Sequence, residues 1–232
     1  MTNILLTGSS RGIGAAIAEA LDRPDVAIIG HGTASGIRAD FSEPAAPRAL
    51  WAAALDQLDG RIDVLINNAG VFEPNPVDSP HDEWVAEWER TMRINLTASA
   101  ELCRLAVTHW QARQSGGRIV NIASRAAYRG DSPAHWHYAA SKAGMVAMTK
   151  SIARGYAAEG ILAFAICPGF TMTGMAEDYL ASRGGDKLLA DIPLGRVASP
   201  GEVATAAKFL ALEAPPSMTG GVIDVNGASY VR

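Results

Sequence analysis

Cysteine is scarce. The 232 residues hold only Cys103 and Cys167, far apart and in apolar surroundings. That excludes a disulfide framework, and both are read as reduced, buried thiols. No His, Cys or carboxylate cluster recurs at ligand spacing, so no metal is expected. No apolar run is long enough to cross a bilayer, so no membrane partner is expected either. A strand-like run begins directly after Met1-Thr2-Asn3, which leaves no room for a signal peptide and implies a cytoplasmic protein. Positive charge is not in excess: 20 Lys and Arg stand against 24 Asp and Glu, for a net charge of −4. A nucleic-acid binder shows the opposite balance. Charged residues total only 19% and hydrophobic ones 48%, which excludes a disordered chain and allows a large core. Linkers, repeats and low-complexity tracts are also missing, so residues 1–232 are read as one domain.

Short apolar runs alternate with helix-length segments. The runs are Ile4–Leu6, Val26–Ile29, Val64–Ile66, Ile119–Ile122, Leu162–Ile166 and Val222–Val225, with Ile37–Asp40 a weaker candidate. Most are apolar on both faces, as strands covered on both sides require. Between them lie Ile13–Leu21, Pro44–Leu58, Trp84–Gln111, Tyr138–Ala158 and Pro200–Leu212. The alternation predicts an α/β fold with a parallel sheet flanked by helices. Only His31 to Gly36 separate the second run from the third. A crossover helix needs about a dozen residues or more, so a tight loop and a short third strand are expected there.

Thr7-Gly8-Ser9-Ser10-Arg11-Gly12-Ile13-Gly14 follows the first strand and opens a helix. Gly8 permits a sharp turn, Gly12 a close approach of backbone to a pyrophosphate, and Gly14 tight packing of helix on strand. A helix N-terminus adds free N–H donors and the positive end of a dipole. Glycine patterns alone are weak evidence, but strand, turn and helix stand here in the order the motif demands.

Tyr138 and Lys142 are four residues apart and share a helix face. An unperturbed tyrosine titrates too high to act as a base at neutral pH, and a neighbouring ammonium favours the phenolate. Such a pair is commonplace on helix surfaces. Ser124, directly after the apolar run that ends at Ala123, sets this one apart.

The glycine spacing, Asn67-Asn68-Ala69-Gly70, Asn95, Ser124, Tyr138-Ala139-Ala140-Ser141-Lys142 and Pro168-Gly169 occur in one order along nearly the whole chain. In that order they resemble the short-chain dehydrogenase/reductase family. The resemblance implies a Rossmann-type doubly wound parallel sheet of about seven strands with helices on both faces. It implies an NAD(P)-dependent oxidoreductase that moves hydride between nicotinamide and a ketone or secondary alcohol. Tyr138 would exchange the proton with the carbonyl oxygen and Ser124 would hydrogen-bond that oxygen. Lys142 would hold the nicotinamide ribose and depress the pKa of Tyr138, and Asn95 would position a relaying water. Asn68, Ala69 and Gly70 would line the adenosine ribose, and Asp40 and Phe41 the adenine ring. Pro168, Gly169 and Thr171 would meet the carboxamide, with Thr173 near it or the pyrophosphate; Gly8, Ser10, Arg11, Gly12, Ile13 and Gly14 form the phosphate cradle.

The second strand ends in Gly30-His31-Gly32-Thr33, without the acid that binds a ribose 2′-hydroxyl. Arg11, His31 and Thr33 are expected to meet a 2′-phosphate, so NADP(H) is favoured and NAD(H) is the alternative. Three segments are expected to converge on the substrate: Phe72 and its neighbours, Ser124-Arg125 with Ala134-His135-Trp136-His137, and residues 170–196 with Phe170 and Met175. Residues 170–196 read either as a lid over the cofactor or as an ordinary amphipathic surface helix. The chain from Ile192 to Gly227 looks like the 3-oxoacyl-carrier-protein reductase branch of the family. That suggests a 3-oxoacyl thioester substrate and an acyl carrier protein as partner, with Arg113, Arg118, Arg125 and Arg129 as candidate docking charges. Alcohol, sugar and steroid dehydrogenases share the pattern, and a non-catalytic dinucleotide sensor is the reading from another class. The helices bearing Leu96–Val107 and Met145–Ile152 have more apolar positions than one core stripe needs. In the family such helices form the dimer interface, so a homotetramer is expected, with a dimer second.

Overall fold

A computed structural model describes residues 1–172 and 185–232. Its strands and helices alternate from the N-terminus: β1 (Thr2–Thr7), α1 (Gly12–Ala20), β2 (Val26–Gly32), β3 (Ile37–Arg38), α2 (Ala46–Gln57), β4 (Val64–Asn67), α3 (His81–Met92), α4 (Ala98–Arg113), β5 (Gly117–Ile122), α5 (Ala126–Arg129), α6 (Trp136–Tyr156), β6 (Ile161–Pro168) and β7 (Val222–Val225). Further helices cover Gly185–Ala190 and Pro200–Lys208.

The seven strands form one sheet in the order β3-β2-β1-β4-β5-β6-β7, with every pairing parallel. The order reverses between β1 and β4, and in doubly wound sheets ligands bind beyond the strand carboxyl ends at that point. Side-chain alternation sorts the strands into two cores. Leu5, Leu65, Ile119 and Ala163 face a layer built with Leu50, Trp51, Leu102 and Trp110. Ile4, Leu6, Ile66, Val120 and Phe164 face Ile17, Val203 and Leu210 on the other side. Each of the buried Leu, Ile, Val and Phe side chains contributes about 1.5–3 kcal/mol. Cys103 and Cys167 are buried free thiols.

The link from β2 to β3 is as short as its spacing requires. Gly36 makes the turn at φ +70°, and a Cβ on it would lie 2.2 Å from the Gly30 carbonyl oxygen. Only His31↔Ile37 and Gly32↔Arg38 pair, so β3 is two residues long. With no helix between them, β2 stays half-buried from Val26 to Gly30, whereas β4 and β6 are buried throughout.

The expected helix over Trp84–Gln111 differs in the structure. It starts at His81 and is broken by a π turn over Arg93–Thr97. Neither Pro nor Gly marks the break; π turns of this kind cluster at functional sites, and Asn95 sits inside it. Trp51 and Trp110 lie in the core, while Trp84 and Trp88 stack on each other at 5.3 Å.

Candidate active site

β1, the turn after it and α1 form the first wall of the cleft. Gly8 and Gly12 adopt φ +66° and +54°. A Cβ on Gly14 would fall 1.9 Å from the Gly8 carbonyl oxygen, so the turn tolerates no side chain there. Thr7 Oγ1 accepts from Asn68 N at 2.9 Å and Ala69 N at 3.0 Å. Asn68 Nδ2 donates to Thr7 O at 3.1 Å and Gly8 O at 2.9 Å. Arg11 caps α1 in extended backbone and lends it no side-chain acceptor. The first amides of a nine-residue helix are thus free beside a turn whose glycines leave the backbone open to close approach, which fits a pyrophosphate.

The proton-handling groups sit at the carboxyl end of β5 and on the first turns of α6. Ser124 follows β5, and its Oγ accepts from Ala126 N at 3.1 Å. Lys142 is 4% exposed, and its Nζ donates to Ile122 O at 2.9 Å. The ammonium nitrogen lies 5.8 Å from the centre of the Tyr138 ring. Asn95 is fully buried: its Oδ1 accepts from Val71 N at 2.8 Å, and its Nδ2 donates to Val71 O at 3.0 Å and Ser141 Oγ at 3.2 Å. Ser141 Oγ in turn donates to Tyr138 O at 2.7 Å. A Cβ on Gly70 would meet Asn95 Oδ1 at 3.2 Å and Lys142 Nζ at 3.4 Å, so the π turn, the loop after β4 and α6 converge there.

Burial sets the protonation of this group. It pushes the Tyr138 phenol up to about 12, and hydrogen bonding by Ser124 offsets only part of the rise. It pulls the Lys142 ammonium down to about 8. The expected depression of the tyrosine pKa is not seen: removal of the phenolate from water outweighs the one lowering contact, the hydrogen bond from Ser124. Both N–H donors of the Asn95 amide are spent on Val71 and Ser141, while Oδ1 accepts a single hydrogen bond, from Val71 N.

Two expectations at the adenosine end, His31 and Phe41, are corrected by geometry. His31 is not an open phosphate donor: it is 3% exposed, and both ring nitrogens have backbone partners. Phe41 is buried and stacked on His31 at 4.4 Å, so its ring packs inward rather than lying open for an adenine. The Asp40 carboxylate is exposed; Oδ1 accepts from Ser42 N and Oγ at 2.9 and 2.8 Å, and that engagement leaves Oδ2 facing solvent. Ser10, Arg11 and Thr33 are exposed around this end, as is Arg38, which pairs beside Gly32 on the edge strand. The sequence reading missed Arg38; its place in the weak third run was the available signal.

At the substrate end, Phe72 meets Tyr138 edge-on at 4.7 Å and stacks on His135 at 4.0 Å. His135 belongs to the 134–137 segment expected at this end. Of the two residues before Tyr138, Trp136 is 51% exposed; His137 is 1% exposed and packs toward Trp88, which corrects its placement in an open pocket. Arg125 is buried, donates its N–H to Pro168 O at 2.9 Å and lies 5.0 Å over the Phe170 ring. Gly169 N donates to Val225 O at 2.9 Å, and Thr171 Oγ1 to Gly169 O at 3.2 Å. Ile13 packs partly buried on the α1 side of the core. Thr173 and Met175, with the rest of residues 173–184 in the segment read as a lid, lie outside the described residues.

The four arginines do not form one docking patch. Arg118 opens β5 at its amino end, away from the cleft, and donates to Leu210 O and Ala214 O. Arg113 donates to Gly60 O, and Arg129 pairs with Asp191 at 2.6 Å. Among the described residues there is no cluster of His, Cys, Asp or Glu fit for a metal, and no helix is long and apolar enough to cross a membrane.

The family model described as enoyl-(acyl carrier protein) reductase matches residues 8–228. The chain belongs to the short-chain dehydrogenase/reductase family. It is 34% identical to the 3-oxoacyl-[acyl-carrier-protein] reductase FabG of Vibrio cholerae, over 98% of this chain and 96% of that one. The 3-oxoacyl-[acyl-carrier-protein] reductase of Synechocystis is 36% identical over 96% of this chain and 94% of its own. Among solved structures, a putative 2-deoxy-D-gluconate 3-dehydrogenase from Agrobacterium tumefaciens with bound NADP superposes with a TM-score of 0.88 at 27% identity, covering 100% of this chain and 97% of that one. A putative NAD(P)-dependent gluconate 5-dehydrogenase from Beutenbergia cavernae, also with NADP, gives 0.86 at 28% identity, covering 98% and 96%. This family member is an NAD(P)-dependent oxidoreductase acting on the CH–OH/C=O couple.

Proposed function

We propose that this dehydrogenase/reductase is an NADPH-dependent reductase of 3-oxoacyl thioesters. The observation that carries the reading is the convergence of Ser124, Tyr138 and Lys142 at the carboxyl ends of the strands, in a chain 32–36% identical to several 3-oxoacyl-carrier-protein reductases. NADPH rather than NADH follows from the missing acid at the end of β2 and from the exposed Arg11, Thr33 and Arg38 around that strand end. The NADP held by both similar structures supports it.

When bound, the nicotinamide supplies the hydride that reaches the carbonyl carbon. The chain's own residues handle the oxygen. Ser124 Oγ and Tyr138 Oη donate hydrogen bonds to it, ready for the charge that develops there. With its pKa pushed to about 12, the phenol holds its proton at neutral pH and is in the correct state to give it up during reduction. Lys142 is charged below about pH 8 and stabilises the phenolate left behind. Asn95 holds the loop after β4 against α6 through Val71 and Ser141. Phe72, Phe170, Arg125 and Trp136 would border the substrate, under a lid formed by residues 170–196.

An acyl carrier protein as donor, a cytoplasmic location and a homotetramer, or a dimer, complete the proposal. The test follows NADPH oxidation with a 3-oxoacyl chain on a carrier protein, on a small thiol, and as a plain ketone, with mass measured in solution. Turnover of the thioesters well above the ketone supports the reading. A second reading, oxidation of a sugar-acid alcohol, is favoured by the two gluconate-type structural relatives; faster NADP reduction with such alcohols would select it. Tight NADPH binding with no turnover of any substrate would leave a dinucleotide sensor.

A further inference from the structure

A single imidazole ties three backbone segments together at the adenosine end. His31 Nε2 lies 3.0 Å from the Ala39 carbonyl oxygen, and Nδ1 lies 3.3 Å from the Gly8 amide nitrogen. A carbonyl only accepts and an amide N–H only donates. The ring must therefore be neutral, with its proton on Nε2 and a lone pair on Nδ1. The His31 carbonyl, in turn, accepts from Ser9 N at 2.9 Å and Ser9 Oγ at 3.3 Å. Phe41 closes one ring face at 4.4 Å. The peg thus joins the glycine turn to the segment after β3, across the gap where the crossover helix is missing. Gly30 and Gly32 flank it, so no neighbouring side chain on β2 does this work.

We propose that neutral His31 is a positioning residue for the dinucleotide: it holds the glycine turn in its binding shape and makes cofactor affinity fall on acidification. This rests on the dinucleotide reading of the cleft.

The sign follows from the geometry. Protonation puts a hydrogen on Nδ1, aimed at the Gly8 N–H, and removes the acceptor. Burial lowers the His31 pKa and the hydrogen bond to Ala39 raises it; no charged side chain contributes. The glycine turn brings the exposed Arg11, and the β3 segment the exposed Arg38 and Asp40. The peg holds through neutrality and fails as pH falls through a value below that of ordinary histidine.

The experiment titrates NADPH into the purified chain by fluorescence, at about pH 7.5 and about pH 5.5, for wild type, His31→Phe and His31→Asn. Phenylalanine keeps the stacking and removes both hydrogen bonds. Asparagine offers an amide oxygen to Gly8 N–H and does not titrate. The 2′-phosphate of the ligand titrates equally in all arms, so the comparison between proteins isolates His31. We expect His31→Phe to bind about tenfold more weakly near neutrality, and acid to weaken the wild type more than His31→Asn. A folded His31→Phe with wild-type affinity overturns the proposal. If that variant does not fold, equal acid responses of wild type and His31→Asn overturn it. Should wild type bind neither NADPH nor NADH, the dinucleotide reading fails. The peg is then decided by amide exchange at Gly8 in the cofactor-free chain: faster in the variant supports it, unchanged refutes it.

Discussion

At one end of the cleft, Ser124, Tyr138 and Lys142 stand on β5 and α6, next to β4 and β6, which are buried along their whole length. At the other end, β2 is half-buried for most of its length and β3 has two residues. The proton-handling end is positioned by a packed core and by buried polar groups that bridge its segments, such as Asn95. The adenosine end has little core beneath it and depends on individual hydrogen bonds and bare glycines. Chemistry is thereby set by the fold as a whole, and cofactor choice by a few residues on a thin edge. Substitutions should divide accordingly.

Lys142→Met should have the largest effect at the packed end. It removes the ammonium and leaves Ile122 O without its buried partner. Turnover is expected to drop by about two to four orders of magnitude, read by steady-state kinetics beside a circular-dichroism check of the fold. The wild-type profile sharpens this. The lysine pKa is lowered to about 8, so its charge is present below that pH and lost above it. The reductase kcat/KM should therefore decline as pH rises through about 8.

Asn95→Ala should cost less activity and more stability. It strands the Val71 amide and carbonyl, at about 1–3 kcal/mol for each buried group left unpaired; a lowered Tm is the readout. An unchanged Tm would mean that the loop after β4 is held by something else.

Arg11→Ala should do least. The side chain is exposed, so fold and Tm should not move. The KM for NADPH should rise by about three- to tenfold with little change for NADH, from loss of one screened contact to a phosphate. Equal changes with both cofactors would take Arg11 away from the 2′-phosphate.

The same contrast explains what could be read from the letters. The glycine turn was legible because each glycine answers a local steric demand, borne out by the Cβ of Gly14 having nowhere to go. The shortness of β3 was legible because so few residues cannot build a crossover helix. The pairing of Tyr138 with Lys142 followed from helix spacing. What stayed hidden depended on distant partners. A histidine between two glycines reads as an open polar donor; only the folded chain brings Phe41 onto its face and Ala39 O to its nitrogen. His137 was likewise hidden by Trp88 from another helix. The π turn at Asn95 carries no Pro or Gly to announce it. The tyrosine pKa rises rather than falls because burial, a property of the whole fold, outweighs the hydrogen bond from Ser124.

The most direct test of the central claim is a single-turnover measurement of bound-NADPH oxidation by Tyr138→Phe, with NADPH affinity measured on the same sample. The account predicts intact binding and a hydride-transfer step slowed by about two to four orders of magnitude, because the ring remains and only the proton-bearing oxygen is gone. Near-wild-type oxidation by the folded variant would contradict it.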